Sequence, residues 1–201
     1  MKRYTKEEIN EVRDALLRGE IIAFGTDTVF GLACIYDDEE AIKKVYEAKN
    51  RDTSKALPMM CSGFDMIEKV AYVGVKAFKL MEAFMPGAIT IIYEKKDVIS
   101  DLVTCGMNTI GIRMPDDKWI LRLIKLCGKP LLVTSANISN EPALFRWEDV
   151  EMKLEGRIDG IVTEDARGES ASTIVDCSEE DIRILRTGPI SEEDIMNALK
   201  E

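Results

Sequence analysis

Short apolar runs that break off into polar clusters, with helical periodicity between them, constrain this chain more than any other feature. Ile21-Ile22-Ala23-Phe24 is followed at once by Gly25-Thr26-Asp27-Thr28, and Leu131-Leu132-Val133 runs into Thr134-Ser135-Ala136-Asn137. An apolar run of three or four residues that does not alternate reads as a strand buried on both faces. Strands of that kind need helices on both sides, which is the arrangement of an α/β sheet.

The helical stretches are signalled by their ends. Thr5 and Glu8 form a capping box ahead of Ile9, Val12, Leu16 and Leu17, and Gly19 supplies the stop. Asp37 and Asp38 precede a helix over Glu39–Ala48. Further helices are expected over Phe64–Val70, Val75–Phe84 and Lys118–Cys127, the last ended by Gly128. A final helix opens at Ser191 with Asp194 as its box partner. Additional strands are expected at Ala56–Met60, Ile89–Tyr93 and Asn108–Arg113. The late strands Gly160–Thr163, Ser172–Asp176 and Ile182–Leu185 are close together. That spacing leaves little room for crossover helices and implies antiparallel members. The expected fold is therefore a single α/β domain over residues 1–201, a twisted open mixed parallel/antiparallel sheet with flanking helices. Asn140–Gly156 reads as an irregular loop.

The chain contains no histidine. Ser-His-Asp and Cys-His catalysis and His-ligated zinc are excluded. Any proton acceptor must be a carboxylate, Lys, Tyr, Cys or the substrate itself. The five cysteines Cys34, Cys61, Cys105, Cys127 and Cys177 form no C-x-x-C pair, which reads as reduced thiols in a cytoplasmic protein. The first residues enter a charged helix without a leader, and no apolar run is long enough for a membrane span. Acidic residues outnumber basic ones 37 to 27, for a net charge of −10. A nucleic-acid binder carries a basic footprint that this composition lacks. There is no G-x-x-x-x-G-K-[ST] and no G-x-G-x-x-G.

Four polar clusters stand at strand ends, where open α/β sheets bind ligands. Gly25-Thr26-Asp27-Thr28 is either an anion-binding turn or a turn in which Asp27 bonds nearby backbone. Lys49-x-Arg51, with Lys55 behind it, either clamps a polyphosphate or complements a helix C-terminus. Thr134-Ser135-Ala136-Asn137 offers small hydroxyls and an amide to an anion, or an N-cap to a helix. Thr109 and Arg113 share a strand face and join Ser172, Thr173 and Arg186. A sheet-buried Arg113 needs a partner, which a bound anion would supply. The other reading leaves Arg113 at an exposed strand end.

Together these strings resemble the YrdC-like family of threonylcarbamoyl-AMP synthases. Gly25–Leu32 resembles P-T-[DE]-T-V-Y-G-L, Lys49-x-Arg51 the family's K-x-R, and Pro86-Gly87-Ala88-Ile89-Thr90 its P-G-P-x-T. Arg113-x-Pro115, Ser135-Ala136-Asn137-x-Ser139, Ser172–Asp176 and Arg186-x-Gly188 are similar to R-x-P, S-A-N-x-S-G, S-T-[IV]-[IV]-D and R-x-G, in family order. The chain departs at Gly25, Phe30, Asp52, Ala56, Ala88 and Asn140, where the family carries Pro, Tyr, Pro, Pro, Pro and Gly. Cys61 stands where many members carry His. The chain ends soon after Gly188, as expected of a form without the extra C-terminal domain of longer members.

The resemblance implies a YrdC-like fold and a nucleotidyltransferase. It implies synthesis of threonylcarbamoyl-AMP and pyrophosphate from L-threonine, bicarbonate or CO2, and ATP carried with Mg²⁺. The implied catalytic set is Lys49, Arg51, Ser135 and Asn137. These residues with Thr109, Thr134 and Arg186 are the implied ATP contacts. Thr28, Cys61, Arg113 and Ser172 are the implied threonine contacts, and no protein side chain is implied as a metal ligand. A threonylcarbamoyl transferase complex would act downstream, with tRNA reached only indirectly and no membrane involved. The alternatives are another carbamoyl-adenylate enzyme and a non-catalytic RNA-binding module.

Overall fold

The computed structural model describes residues 1–200. In chain order the elements are β1 (Lys2–Tyr4), α1 (Ile9–Leu17), β2 (Ile22–Phe24), β3 (Gly31–Ile35), α2 (Glu39–Ala48), β4 (Met59–Met60), α3 (Phe64–Val70) and β5 (Ala71–Tyr72). They continue with α4 (Val75–Phe84), β6 (Ile89–Lys95), α5 (Asp101–Thr104), β7 (Thr109–Arg113), α6 (Lys118–Cys127) and β8 (Leu131–Ser135). The chain then forms α7 (Trp147–Leu154), β9 (Gly160–Val162), β10 (Thr173–Asp176), β11 (Arg183–Arg186) and α8 (Glu192–Lys200).

The strands form one mixed sheet in the order β1-β9-β2-β3-β8-β4-β7-β6-β10-β11, with β5 on the end of β6. β1/β9, β2/β9, β4/β7 and β6/β10 are parallel, and the other pairs run antiparallel. The period of two sorts the strand residues onto two faces. Ile22, Phe24, Ala33, Ile35, Leu131 and Val133 pack under α1 and α6. Ala23, Leu32, Cys34, Leu132, Ile91, Ile112 and Val175 enter the larger core on the opposite face. Register carries the first face across the short β4: Met60 lies opposite both Leu131 and Arg113. There α1 and α6 no longer cover it, so the α1/α6 face of β7-β6-β10 is left open and becomes the floor of a cleft.

Helix ends follow the sequence chemistry. The Asp38 carboxylate accepts from the Ala41 N–H at 3.0 Å, and Asp117 accepts from Trp119 and Ile120. Gly128 closes α6 at φ +67°, a conformation open to glycine. Ser191 and Asp194 cap each other reciprocally ahead of α8. Thr5 N–H donates to the Glu8 carboxylate at 2.7 Å, although the first turn is a 3₁₀ segment, Lys6–Glu8, before α1 begins.

Five elements escape the sequence pattern. β1 has one buried residue, Tyr4, and β5 has only two residues, so neither shows an apolar alternation. β3 is fully buried, but its Gly31 and Leu32 read as the tail of the polar cluster before it. α5 is a single turn. The loop expected over Asn140–Gly156 contains α7, anchored by Val150 and Leu154 at helical spacing. Most of the expected strands are shifted at an end by one or two residues, and two larger differences bear on the site. The Ala56–Met60 strand shrinks to Met59–Met60 because Pro58 has no N–H to pair, although its carbonyl accepts from Val133 at 3.0 Å. β8 continues through Thr134 and Ser135, so both are strand residues and do not follow the strand.

Candidate active site

The open face holds a cleft of about 680 Å³. β7 contributes Thr109, Gly111 and Arg113 to its floor, β6 contributes Thr90 and Ile92, and β10 contributes Ile174 and Asp176. Gly111 keeps the middle of the floor low, since a Cβ there would stand 3.3 Å from the Thr90 methyl. The walls come from the turns after β2, α2 and β8 and from the segment entering β10.

At one end, Arg113 is buried and fully held. Its Nε donates to the Gly87 carbonyl at 3.0 Å, Nη1 to Thr28 Oγ1 at 2.6 Å, and Nη2 to Asp27 Oδ2 at 2.6 Å. The Arg113 and Asp27 side chains are only 6% and 11% exposed, so this is a buried ion pair. Burial lowers the Arg113 pKa and Asp27 opposes that shift. The sequence left Arg113 either paired with a bound anion or at an exposed strand end; it is buried, and the chain itself supplies the partner, Asp27. Three of the five guanidinium N–H groups are committed, which leaves one on each terminal nitrogen for a ligand. Thr90 and Ser172 share a hydrogen bond at 2.8 Å beside this end. Arg186 leans on Ser172, donating to its carbonyl at 2.9 Å and its hydroxyl at 3.3 Å. Partial burial lowers the Arg186 pKa, and no carboxylate pairs with it among the described residues.

The opposite wall is built from the turn after α2. Arg51 Nε and Nη2 donate to the carbonyls of Lys55 and Ala56 at 3.1 and 2.9 Å, which aims its charge along the wall with no carboxylate partner among the described residues. Lys49 is 1% exposed and lies beneath the surface rather than on it. Its ammonium donates to the carbonyls of Ser135 and Asn137, the second at 2.7 Å. Burial, reinforced by Arg51, pulls its pKa down to about 7. The Ser139 N–H closes the unit on the Lys49 carbonyl at 2.8 Å. Asn137 spends both amide hydrogens on the carbonyls of Ile138 and Glu141.

Nine of the eleven residues singled out in sequence line the one cleft: Thr28, Arg51, Thr109, Arg113, Thr134, Ser135, Asn137, Ser172 and Arg186. Lys49 does not, because it is turned under the 135–139 turn. Cys61 does not either: it is fully buried on the far side of the sheet, where desolvation raises its pKa. Sequence reasoning missed Asp27 as the partner of Arg113, since the two are 86 residues apart. It also left out Thr26 and Thr90, although both lie inside the motifs quoted above. Met107 and Leu185, two exposed apolar side chains at the cleft, carry no pattern in the sequence.

No three His, Cys, Asp or Glu side chains come together as a metal site among the described residues. Glu141 and Asp176 are the acidic side chains on the cleft wall, and each is engaged, with Lys153 and with Ser178 and Arg183. No helix is long and apolar enough to cross a membrane.

A model of the Sua5/YciO/YrdC domain, described as "Telomere recombination", matches residues 14–188. The threonylcarbamoyl-AMP synthase of Bacillus subtilis is 40% identical over 185 residues, covering 90% of this chain and 54% of that protein. A putative threonylcarbamoyl-AMP synthase of Methanocaldococcus jannaschii is 33% identical over 186 residues, covering 92% and 87%. Among solved structures, Pyrococcus abyssi Sua5 complexed with L-threonine matches with a TM-score of 0.90 and 31% identity, over 98% of this chain and 59% of that one. The chain thus spans about half the length of the Bacillus and Pyrococcus proteins.

Proposed function

The chain belongs to the Sua5/YciO/YrdC family, and from that premise we propose that it makes threonylcarbamoyl-AMP and pyrophosphate from L-threonine, bicarbonate or CO2, and ATP. The observation that carries this reading is the convergence of nine residues singled out in sequence, seven of them from the family motifs, on one cleft with two arginines that no carboxylate pairs among the described residues.

The chemistry is a meeting of anions. Threonine's amine adds to CO2 and loses a proton, giving a carbamate. A carbamate oxygen attacks the α-phosphorus of ATP, the bond to the bridging oxygen breaks, and pyrophosphate leaves with the electron pair. Mutual repulsion is the obstacle, and fixed cations with oriented donors lower it. Arg51 and Arg186 carry uncompensated charge toward the cleft and are suited to the phosphates. Arg113 has two free N–H groups for a carboxylate, beside Thr28 and Ser172. Ser135 offers its hydroxyl to the carbamate or α-phosphate, while Lys49 and Asn137 hold the turn that presents it. Thr109 and Thr134 complete the hydroxyl lining. Mg²⁺ bound to the triphosphate would neutralise developing charge. Positioning supplies much of the remaining rate, so the absence of histidine is no handicap.

The product is an activated acyl donor. A threonylcarbamoyl transferase complex would consume it, and tRNA would be met only through that partner.

The test is pyrophosphate release from ATP, with threonine and bicarbonate omitted in turn. Release that needs both is expected. Release without threonine, or with carbamoyl phosphate in its place, would point to a different carbamoyl-adenylate chemistry. RNA binding with a steep salt dependence and no pyrophosphate release would point to a binding module.

A further inference from the structure

The buried Asp27–Arg113 pair gives the Arg113 end of the cleft an unusual charge balance. Arg113 is the donor aimed at a ligand, yet its charge is already cancelled at 2.6 Å. Asp27 Oδ2 is shared between Arg113 and the Asp116 N–H, at 2.6 and 2.8 Å. Its Oδ1 is buried with no donor among the described residues. The Asp27 carboxylate thus faces one cation, Arg113, and its charge offsets that of the guanidinium. Asp27 does not line the cleft.

Hydrogen-bond accounting fixes the polarity of the neighbouring hydroxyl. Thr26 Oγ1 spends its only proton on the Val29 carbonyl at 2.6 Å. The Thr26–Thr28 bond at 3.1 Å must therefore take its proton from Thr28. Arg113 occupies one Thr28 lone pair at 2.6 Å. What remains for the cleft is a single lone pair, so Thr28 can accept from a ligand but cannot donate to it.

An acceptor-only hydroxyl beside a neutralised guanidinium matches a ligand that brings its own cation. A simple carboxylate entering here would place a second anion across the guanidinium from Asp27. The nearest balancing charge, Arg186, is exposed and turned onto Ser172. An α-amino acid offers its carboxylate to the two free Arg113 N–H groups and its ammonium to Thr28, and it adds no net charge.

We infer that Asp27 is a specificity-determining residue, which acts through Arg113 to make this subsite select zwitterionic α-amino acids over simple carboxylates. The inference rests on the reading of this end as the threonine subsite.

The experiment is direct binding without nucleotide, by calorimetric titration at fixed ionic strength. The probes are L-threonine and 3-hydroxybutyrate, which is threonine without the amine. Wild-type protein should prefer threonine by about tenfold or more, the scale of one charge interaction in a protein site. Asp27→Asn should shrink that preference about tenfold by tightening 3-hydroxybutyrate relative to threonine. Asp27→Glu, which keeps the charge, should retain it. If Asp27→Asn weakens both ligands equally, Asp27 only braces the loop and the inference is overturned. If the neutral variant does not fold, the wild-type ratio still decides: equal affinity for the two probes overturns the inference. Failure of wild type to bind threonine would defeat the subsite reading and the inference with it. Threonine binding with an unchanged ratio in Asp27→Asn defeats the role of Asp27 alone.

Discussion

Lys49→Met is the most informative single change beneath the cleft wall, because it removes a charge that the fold has buried without a carboxylate among the described residues. Lys49 is 1% exposed, and its ammonium meets only the oxygens of Ser135 and Asn137. Its pKa falls from 10.5 to about 7. In the unfolded chain the group keeps its ordinary value, so between these two pH values the unfolded state binds the proton and the folded state does not. Stability of the wild type therefore rises with pH across that window. Below about pH 7 the burial cost is fully present, and above 10.5 it has gone. The whole interval corresponds to about 4–5 kcal/mol, and the rise between pH 6 and 9 to about 2.5 kcal/mol. Methionine fills similar volume without charge, so Lys49→Met should be at least as stable as wild type at pH 6. It should lose that advantage as pH rises.

The assay is urea unfolding of both proteins at pH 6, 7, 8 and 9. Taking the difference between them cancels the titration of every other group that the substitution leaves undisturbed. A gap that stays constant from pH 6 to 9 would refute the reasoning. It would mean that the three oxygens solvate the ammonium as well as water does. Activity is the weaker readout, since any damage to the 135–139 turn would abolish it.

The remaining expectations concern charge and access. Arg51→Ala should cost about 1.5–3 kcal/mol of transition-state stabilisation, or roughly 10- to 150-fold in kcat/KM for ATP; a wild-type rate would remove Arg51 from the phosphate wall. The nucleotide Kd should weaken several-fold between low and high salt while the threonine Kd barely moves, because Arg51 is unpaired and Arg113 is already neutralised; equal salt slopes in titrations of the two ligands would contradict this. Native protein at pH 8 should expose no more than two thiols to an aromatic disulfide reagent, those of the half-buried Cys105 and, more slowly because desolvation raises its pKa to about 11, Cys177. Cys34, Cys61 and Cys127 are buried, and desolvation raises the pKa of Cys34 to about 12 and of Cys127 to about 11. Stoichiometric labelling of a third cysteine would contradict that packing.

Local chemistry made some elements legible and concealed others. The bounds of α2, α3, α4 and α6 could be read from their apolar periodicity, helped in α2 by the Asp38 cap and in α6 by the Gly128 stop. β1 could not, since an edge strand with one buried residue leaves no periodic trace. In the site, the motifs located the cleft but not the direction of each side chain. Lys49 and Arg51 are separated by one residue, yet one lies under the surface and the other on it. The helix exit that carries them does not show which will point inward. Cys61 follows Met60 in sequence, and period-two alternation sends Met60 to the cleft and Cys61 to the far side of the sheet. The Asp27–Arg113 pair depends on the sheet bringing distant turns together, and no spacing rule reports it.

The cations of the cleft are compensated to three different degrees, and that gradient explains how an acidic chain can gather anions in one place. With 37 acidic residues available, most arginines find one: Arg3, Arg13, Arg18, Arg146, Arg167 and Arg183 all sit within ion-pair distance of a carboxylate. Arg51 and Arg186 do not, and they spend their N–H groups on backbone carbonyls and a hydroxyl, which orient the guanidinium without cancelling it. Full charge is left where a polyphosphate needs it. Arg113 is cancelled by Asp27 and suits a ligand that is neutral overall. Lys49 is buried with its pKa near neutrality, and it serves the backbone of the turn instead of a ligand. The same residue types thus do three jobs, separated only by what the fold places within hydrogen-bond reach of each nitrogen.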